Sequence, residues 1–485
     1  MRMNAIVAIE DLLHPLLGDY YAAPAWLRAS AGRAYACLPR VVRLGGAYGD
    51  FRDVFSRTAE AASAAEYARE RLGETLAWAL RTVPAYRALR GLLAGRPDPR
   101  ELLAQLPVTD KLDIKRDPEA WLSGAMPGSA RMPTFTGGST RTPMSFFLQK
   151  HVTRPKEYAF MAELRARLGA RDGDRVLALR GRTVPSAAAP GGATWMYEPI
   201  KRQLVMSTDH LSRRFLPACA QALVRYRPTL IEAFPSALYP LARWLEAHPL
   251  PEFVSGVRGI ALFSENVYGF QMELFRRVFG CPVVSHYGHS ERVLMAATMP
   301  DDDRYFVWPQ YGWLELLDSR DRPITTPGRL GYVVGTSFDN RVMPFVRYRT
   351  GDLAMLGEGE HPALPGHPVL ERIAGRLQEL IACRDGRLIS VTALGVAHFA
   401  ELAGLEAIQY EQHDAGRLAL RVVADFAIPS RQARRIAEAV EAKTQGGCEV
   451  HVEQVEHIER TPRGKARMLV QHLDLRRHLD AALEY

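Results

Sequence analysis

The stretch QMELFRRVFGCPVVSHYGHSERV, residues 271–293, joins an amphipathic segment to a short apolar segment that ends in polar residues. Residues 271–279 place apolar side chains at helical spacing, and the following CPVV has the apolar, β-branched character of a buried strand. Segments of these two kinds alternate between residues 174 and 338. This alternation predicts an α/β fold in which a parallel or mixed sheet is covered by helices.

The regions on either side of this core have different patterns. Residues 1–105 are predicted to be mainly helical, because 52–94 is rich in Ala, Glu, Arg and Leu at helical spacing. After about residue 375 the segments follow the order β-β-α-β, with a helix predicted from Ser430, its N-cap, to Lys443. We therefore predict a large N-terminal domain at 1–375 and a small α+β C-terminal domain at 376–485.

Composition and charge exclude several classes of protein. Hydrophobic residues make up 47% of the chain and charged residues 24%, which is typical of a globular protein and not of a disordered one. The net charge of +8 suits anionic ligands such as nucleotides or CoA, but it is weak support for nucleic-acid binding, and we expect no nucleic-acid partner. Since no run of eighteen apolar residues occurs, we expect no membrane span.

The cysteines indicate a reducing compartment. The chain has 5 cysteines that are widely separated and form no C-x-x-C pair. This pattern argues against a disulfide framework and against a cysteine-rich zinc site. A cytoplasmic location is therefore expected.

A glycine- and hydroxyl-rich segment is the first candidate for ligand binding. TFTGGSTRTP, residues 134–143, can turn tightly and expose backbone N–H groups and hydroxyls to phosphate oxygens. It is not a Walker A loop, because no Gly-Lys-Ser/Thr follows. Taken alone, the segment favours a polar turn between strands.

The segment SHYGHSERV, residues 285–293, is the second candidate. A strand before it would deliver Tyr287 and Gly288 at its end, where the tyrosine could stack on a base. Glu291 could hold a hard cation, although alone it is equally a surface carboxylate. His286 and His289 are predicted to be hydrogen-bonded structural residues, because no convincing third metal ligand accompanies them.

Three further segments are weak when taken separately. In VRYRTGDL, residues 346–353, Asp352 could accept two ribose hydroxyls, although alone the segment favours an ordinary Gly-Asp turn. RIAGRLQEL, residues 372–380, favours a connecting segment. In RTPRGKARM, residues 460–468, Lys465 lies in a basic loop, where a lone lysine is usually solvated.

Together and in this order, the five segments resemble a known family. The chain resembles the adenylate-forming superfamily of acyl-CoA synthetases, adenylation domains and luciferases, and within it the phenylacetate–CoA ligase branch and its CapK-like relatives. TFTGGSTRTP is similar to the family's phosphate loop, HYGHSE to its Tyr-Gly motif, YRTGDL to its ribose-aspartate motif, GRLQE to its hinge and TPRGK to its catalytic-lysine motif. The segments at 83–87, 106–118, 234–242 and 262–280 also resemble this branch, and residues 1–50 have no counterpart that we can place.

The resemblance implies the adenylate-forming fold and a role for each matched position. It implies that Lys465 is catalytic, that Glu291 binds Mg²⁺, and that Gln378 is the hinge about which a mobile C-terminal domain turns. An acyl pocket is expected near Phe234 and Tyr239. The resemblance further implies that ATP or AMP is bound by Thr136, Gly137, Gly138, Ser139, Thr140, Ser264, Glu265, Tyr287, Gly288, Ser290, Asp352 and Arg376.

The implied reaction has two halves. A carboxylate attacks the α-phosphate of ATP to give acyl-AMP and pyrophosphate, and a thiol then displaces AMP. The expected ligands are a small carboxylic acid, preferably aromatic in this branch, together with ATP, Mg²⁺ and CoA. Two alternatives stay open for the acceptor: the phosphopantetheine arm of an acyl carrier protein, and an amine that would give an amide.

Two positions depart from the family pattern. Arg141 stands where the phosphate loop usually has a second glycine, so the resemblance does not fix the exact shape of the loop. Gln378 stands where the hinge is often Asp or Lys. Because a pivot needs backbone freedom more than charge, we expect the hinge to survive this change.

Overall fold

The structure is a computed structural model, and it describes residues 9–13, 16, 19–20, 23–95, 97–135, 144–171, 173–180, 184, 194–207, 211, 215–376, 379–391, 405, 407–458, 467–473 and 475. Of the predicted site residues, the phosphate-loop residues 136–143, Gln378 and Lys465 lie outside the described residues, and Arg376 is described for its backbone only.

The described N-terminal residues are helical, in accord with the pattern of 52–94. The helix at Ala61–Thr82 buries Leu72, Leu76 and Leu80, which recur every four residues on one face. The helices are α1 (Ile9–Leu13), α2 (Ala25–Cys37), α3 (Arg40–Leu44), α4 (Gly46–Arg57), α5 (Ala61–Thr82), a 3₁₀ helix (Pro84–Leu93), α6 (Pro99–Ala104), α7 (Lys111–Arg116), and short 3₁₀ turns at Pro118–Trp121 and Gly128–Ala130.

A hairpin and the parallel half of a large sheet follow. The hairpin pairs β1 with β2. β3, β5, β6, β7 and β8 run parallel to one another, whereas β4 is an antiparallel edge strand. The elements are β1 (Arg131–Phe135), β2 (Ser145–Gln149), α8 (Thr153–Arg167), β3 (Val176–Leu179), β4 (Trp195–Glu198), β5 (Gln203–Met206), α9 (Leu216–Tyr226), β6 (Leu230–Ala233), α10 (Pro235–Ala247), α11 (Pro251–Val254), β7 (Gly259–Leu262), α12 (Gly269–Phe279) and β8 (Val283–Gly288).

Antiparallel strands extend the same sheet beyond β8, so that twelve strands follow the order β11-β12-β13-β14-β10-β9-β8-β7-β6-β3-β5-β4. A mixed sheet covered by helices was predicted, and the structure confirms it. The added strands are β9 (Met295–Met299), β10 (Asp302–Val307), β11 (Gly312–Leu317), β12 (Leu330–Ser337), β13 (Tyr348–Leu356) and β14 (Val369–Arg376).

The parallel strands β3, β6 and β7 are mostly apolar because both faces of the sheet are covered, and Glu232 of β6 is the one charged residue in these three strands. β3, β6 and β7 have four buried residues each, and one face packs on α9, α10 and α12 through Leu223, Leu238 and Phe275. The carboxyl ends of β6, β7 and β8 lie side by side at one edge of the sheet. Ligands of open α/β sheets bind at such an edge.

After β14 the chain forms two small sheets. β15 (Leu380–Ala382) pairs with β16 (Leu388–Ser390), and a separate sheet has the order β19-β18-β17-β20. Its elements are β17 (Ala407–Gln412), β18 (Arg417–Val423), α13 (Ser430–Lys443), β19 (Glu449–Gln454) and β20 (Leu469–Gln471). The β-β-α-β order agrees with the sequence, which did not indicate β20.

The predicted N-cap of α13 is wrong. Pro429 takes the N-cap position with extended backbone, and no side-chain cap hydrogen bond is formed. Ser430 is the first helical residue. A residue inside the helix lacks the extended backbone that lets an N-cap side chain accept a hydrogen bond from an N–H group of the first turn. The Ser430 hydroxyl therefore does not cap the helix.

None of the helices in the described ranges combines the length and apolar character that a bilayer crossing needs.

Candidate active site

Three side chains from two of the predicted motifs form one hydrogen-bonded group. The Tyr287 hydroxyl, at the end of β8, donates to Asp352 Oδ2 at 2.9 Å. His289 Nε2 lies 2.7 Å from that hydroxyl and 3.2 Å from the same carboxylate oxygen. The hydrogen-bonded role predicted for His289 is confirmed. The group fixes a carboxylate beside an aromatic ring, an arrangement that suits a ribose and a base.

The backbone around Asp352 explains how the carboxylate is positioned. Gly351 has φ +83°, a left-handed conformation that side-chain-bearing residues rarely adopt. Thr350 Oγ1 donates to Val333 O at 3.0 Å on the neighbouring strand and accepts from the Asp352 N–H at 3.1 Å. β13 therefore has a register irregularity against β12 at this point, and the Thr350 hydroxyl ties the backbone of Asp352 to the neighbouring strand.

The hinge motif lies against this part of the site. Asp352 is directly opposite Arg376 in the antiparallel pairing of β13 with β14, so the backbones of these two predicted nucleotide residues are neighbours. Gly375 has φ +86°, and a Cβ there would collide with the side chains of Glu379 and Asn266. The Asn266 amide donates to the Glu379 carboxylate. This contact ties the chain on the far side of Gln378 to the segment that follows β7.

Glu291 is a buried carboxylate with one oxygen already held. Its side chain lines a cavity of about 2730 Å³. Tyr348, which is 1% exposed, donates a hydrogen bond from its hydroxyl to Glu291 Oε1 at 2.9 Å. Carboxylate oxygens are the ligands that Mg²⁺ prefers, so the residue fits the predicted metal role. The sequence did not single out Tyr348, although the quoted YRTGDL segment begins with it.

The Ser264–Glu265 segment has a structural role as well as a place on the cavity wall. Ser264 has φ +65° and is the second residue after the end of β7. The Glu265 carboxylate accepts from the Ser236 N–H at 3.0 Å and from the Ser236 hydroxyl at 2.9 Å. Because negative charge stabilises a helix N-terminus, Glu265 fastens the start of α10 beside the predicted adenine position.

The two residues expected at the acyl pocket have different surroundings. Phe234 follows β6 and lines the cavity. Tyr239 packs edge-on against Phe270, with ring centroids 5.4 Å apart, and is not among the cavity-lining residues. The reason is geometric: Tyr239 lies inside α10, whereas Phe234 lies at the carboxyl end of a strand.

One cavity of about 2730 Å³ joins these features. It is larger than the roughly 300–1,000 Å³ of ordinary small-molecule sites, so it has room for a nucleotide and a second substrate. Thr134 and Phe135, directly before the phosphate-loop residues, line it, and so do Arg467 and Met468, which follow Lys465 by two and three residues. Its walls also include Ser264, Glu265, Tyr287, Gly288, Ser290, Glu291 and Asp352.

Comparisons with known proteins agree with this architecture. No family model matches the chain. A phenylacetate–coenzyme A ligase from Pseudomonas putida is 24% identical over 341 residues, which cover 67% of this chain and 74% of that protein.

Two solved structures are similar over nearly their whole length. A 2-hydroxyisobutyryl-CoA ligase in its postadenylation state, in complex with R3-HIB-AMP, matches with a TM-score of 0.64 and 19% identity, covering 89% of this chain and 94% of that one. The acyl acid amido synthetase AtGH3.15, in complex with 2,4-DB, matches with a TM-score of 0.55 and 14% identity, covering 92% of this chain and 97% of that one. The chain therefore has the adenylate-forming enzyme fold that its motifs predicted, and it is similar in sequence to phenylacetate–CoA ligase.

Proposed function

We propose that the protein is an ATP-dependent ligase that activates a carboxylic acid as an acyl-adenylate and transfers the acyl group to the thiol of CoA. The observation that best supports this proposal is that the Tyr-Gly motif, the ribose-aspartate motif and the segment after β7 all line one large cavity at the carboxyl edge of the sheet. The similarity to two CoA ligases, one of which binds an acyl-AMP, supports the same reaction here.

Each residue has a proposed task in the first half-reaction. Asp352 accepts the ribose hydroxyls, and the Tyr287 ring borders the base. Glu291, positioned by Tyr348, holds Mg²⁺, which neutralises phosphate charge when it is bound. Residues 136–140 bind the β- and γ-phosphates, and Lys465 attracts both the carboxylate and the α-phosphate. Because two anions must meet, charge neutralisation and positioning account for most of the catalysis.

We further propose that residues 376–485 form a mobile C-terminal domain with its pivot at Gln378. Lys465 belongs to this part, so its approach to the nucleotide depends on the orientation of the domain. The second half-reaction needs the lysine to leave and a thiol to enter, which a rotation about the hinge provides.

An amide-forming ligase is the second candidate. An acyl acid amido synthetase shares the fold, and the proposed adenylation site is compatible with either acceptor. A carrier-protein phosphopantetheine arm is the third acceptor to be compared, since it presents the same thiol chemistry as CoA.

The proposed function is tested by acid-dependent ATP–pyrophosphate exchange over a panel of aryl, aliphatic and amino acids. We expect exchange with a subset of acids. CoA, a pantetheinylated carrier protein and amines are then offered in parallel with the best acid. Thioester formation with CoA supports the leading proposal, a different product reassigns the acceptor, and the absence of exchange with every acid contradicts adenylation.

Tyr348→Phe tests the proposed metal role of Glu291. Loss of the hydroxyl leaves the buried carboxylate without its 2.9 Å donor and less well oriented. Since a hydrogen bond to a charged group is worth about 1.5–3 kcal/mol, we expect the Mg²⁺ concentration for half-maximal exchange to rise about 10-fold. Tyr226→Phe removes a hydroxyl that donates to Arg202 O outside this site and is the matched control. An unchanged Mg²⁺ dependence in Tyr348→Phe would remove this positioning role.

A further inference from the structure

A polar chamber extends the cavity beyond the residues assigned to the nucleotide. We define it by Arg165 of α8, Arg180 after β3, Glu232 of β6, Phe263 after β7 and His286 of β8, all of which line the cavity. Phe263 directly precedes Ser264, and His286 directly precedes Tyr287. The chamber is therefore part of the same cavity as the proposed adenine and ribose positions, and its Glu232 lies two residues before Phe234, where the acyl pocket is expected.

The chamber contains a charge cluster with a net positive charge, in which a buried carboxylate is paired with two partly exposed guanidinium groups. The Glu232 side chain is 2% exposed and accepts from Arg165 Nε at 2.8 Å and from Arg180 Nη1 at 3.0 Å. Burial by itself would raise the pKa of Glu232, but the two guanidinium groups lower it to about 2. Two cations thus face one anion. A buried carboxylate is costly even when it is paired, so a pocket for a plain hydrocarbon acid would gain stability from apolar residues instead.

Arg180 presents its guanidinium toward the ligand space. Its Cζ lies 4.3 Å from the centroid of the Phe263 ring, and its side chain is 37% exposed. Arginine has five N–H donors, and the contact to Glu232 uses one nitrogen. Arg180 and Phe263 both line the cavity, so a guanidinium group and an aromatic ring lie side by side on its wall.

His286 adds an unused polar atom to the same wall. Its ring centroid lies 5.3 Å from that of Phe263, and its buried Nε2 has no hydrogen-bond partner among the described residues. Burial lowers the pKa of His286 to about 4, so the ring is neutral at pH 7. An unpaired buried polar group is destabilising, and a ligand that bonds to it removes this destabilisation. The prediction that His286 is a hydrogen-bonded structural residue does not hold for Nε2.

We propose that the polar chamber binds the acyl end of the acid and selects an acid with an oxygen-bearing group, such as a hydroxyl or carbonyl, remote from its carboxylate. This inference rests on the proposed function and names its substrate class. Arg180 donates to the remote oxygen, Phe263 packs against the carbon skeleton between the two polar ends, and His286 Nε2 bonds to the same polar end. A hydrocarbon acid would displace water from Arg180 and leave Nε2 unpaired. Sites built around hydrogen bonds reject analogues that lack the bonding group far more strongly than apolar pockets reject an added hydroxyl.

Matched pairs of acids test the inference through kcat/KM in ATP–pyrophosphate exchange. The pairs are phenylacetate with 4-hydroxyphenylacetate and hexanoate with 6-hydroxyhexanoate. We expect the hydroxylated member of at least one pair to be preferred 10-fold or more. His286→Phe and Arg180→Met should each reduce this ratio at least fivefold. His451→Phe and Arg276→Met, which alter residues that do not line the cavity, are the matched controls.

The outcomes separate this inference from the proposed function. A preference for the hydrocarbon members, or a ratio that His286→Phe leaves unchanged, overturns the polar chamber while adenylation stands. If Arg180→Met does not fold because Glu232 loses a partner, the ratio in folded His286→Phe decides. The absence of exchange with every acid overturns the proposed function and the inference with it.

Discussion

Lys465→Ala is expected to lower acid-dependent pyrophosphate exchange by about 100-fold or more, while the conversion of supplied acyl-AMP to thioester is retained. The physical reason is the meeting of two anions in the first half-reaction. An ammonium group that touches both the carboxylate and the α-phosphate stabilises developing negative charge, and its removal costs about 3 kcal/mol or more. The second half-reaction starts from an acyl-adenylate, in which the carboxylate is already bonded to the α-phosphate, so the two anions no longer have to be brought together.

The two half-reactions are measured separately on the same variant. Exchange of labelled pyrophosphate into ATP reports adenylation, and thioester formation from synthetic acyl-AMP and CoA reports transfer. Lys443→Ala, which removes an exposed lysine at the end of α13, is the control for the loss of one positive charge. Exchange at the wild-type rate in Lys465→Ala would contradict the catalytic role of Lys465 in adenylation. An equal loss of both half-reactions would indicate that the lysine stabilises the fold instead.

Asp352→Ala is expected to raise the KM for ATP about 100-fold. The carboxylate accepts the ribose hydroxyls in our proposal, and two hydrogen bonds to a charged group at about 1.5 kcal/mol each correspond to this factor. The substitution also leaves the Tyr287 hydroxyl and His289 Nε2 without their shared carboxylate, so the base-stacking ring loses its support. We expect the thermal unfolding temperature to change little compared with the loss in nucleotide binding.

Altered nucleotides distinguish a direct contact from a general disturbance. The wild type should lose most of its affinity for 2′,3′-dideoxy-ATP, whereas Asp352→Ala should bind ATP and the dideoxy analogue equally. Asp303→Ala, which breaks an ion pair with Arg276 on the surface, is the matched carboxylate control. If Asp352→Ala still discriminates between the two nucleotides as the wild type does, the ribose contact is made elsewhere.

Local pattern was sufficient to predict the mixed sheet, because its strands and helices have different periods. The helix from Gly269 to Phe279 and the strand from Val283 to Gly288 both carry their periodicity in the quoted stretch. The order of the twelve strands depends on long-range pairing, such as that of β8 with β9 and β14 with β10, which no short segment encodes. The sequence did not indicate β20, because a strand of 3 residues is too short to show a periodic pattern.

Candidate site residues inside motifs could be proposed from the sequence, and those that the fold brings together could not. Tyr287, Glu291 and Asp352 stand in recognisable segments, and the structure brings the first and last into one hydrogen-bonded group. Arg165, Arg180 and Glu232 come from three separate elements, each of which reads alone as an ordinary charged residue. Only the packing of α8 on the sheet reveals them as a charge cluster. Tyr239 shows the converse, because it is close to Phe234 in sequence and yet is not among the residues that line the cavity.

The most direct test of adenylation follows an oxygen atom. The carboxylate oxygen that attacks the α-phosphate stays on phosphorus when the thiol breaks the acyl C–O bond. An acid labelled with ¹⁸O in its carboxylate is incubated with ATP, Mg²⁺, CoA and the protein. The ¹⁸O content of the nucleotides and of inorganic phosphate is then measured by mass spectrometry. We predict one ¹⁸O atom in AMP for each thioester formed. Label in inorganic phosphate together with unlabelled ADP would show attack at the γ-phosphate and would contradict the account.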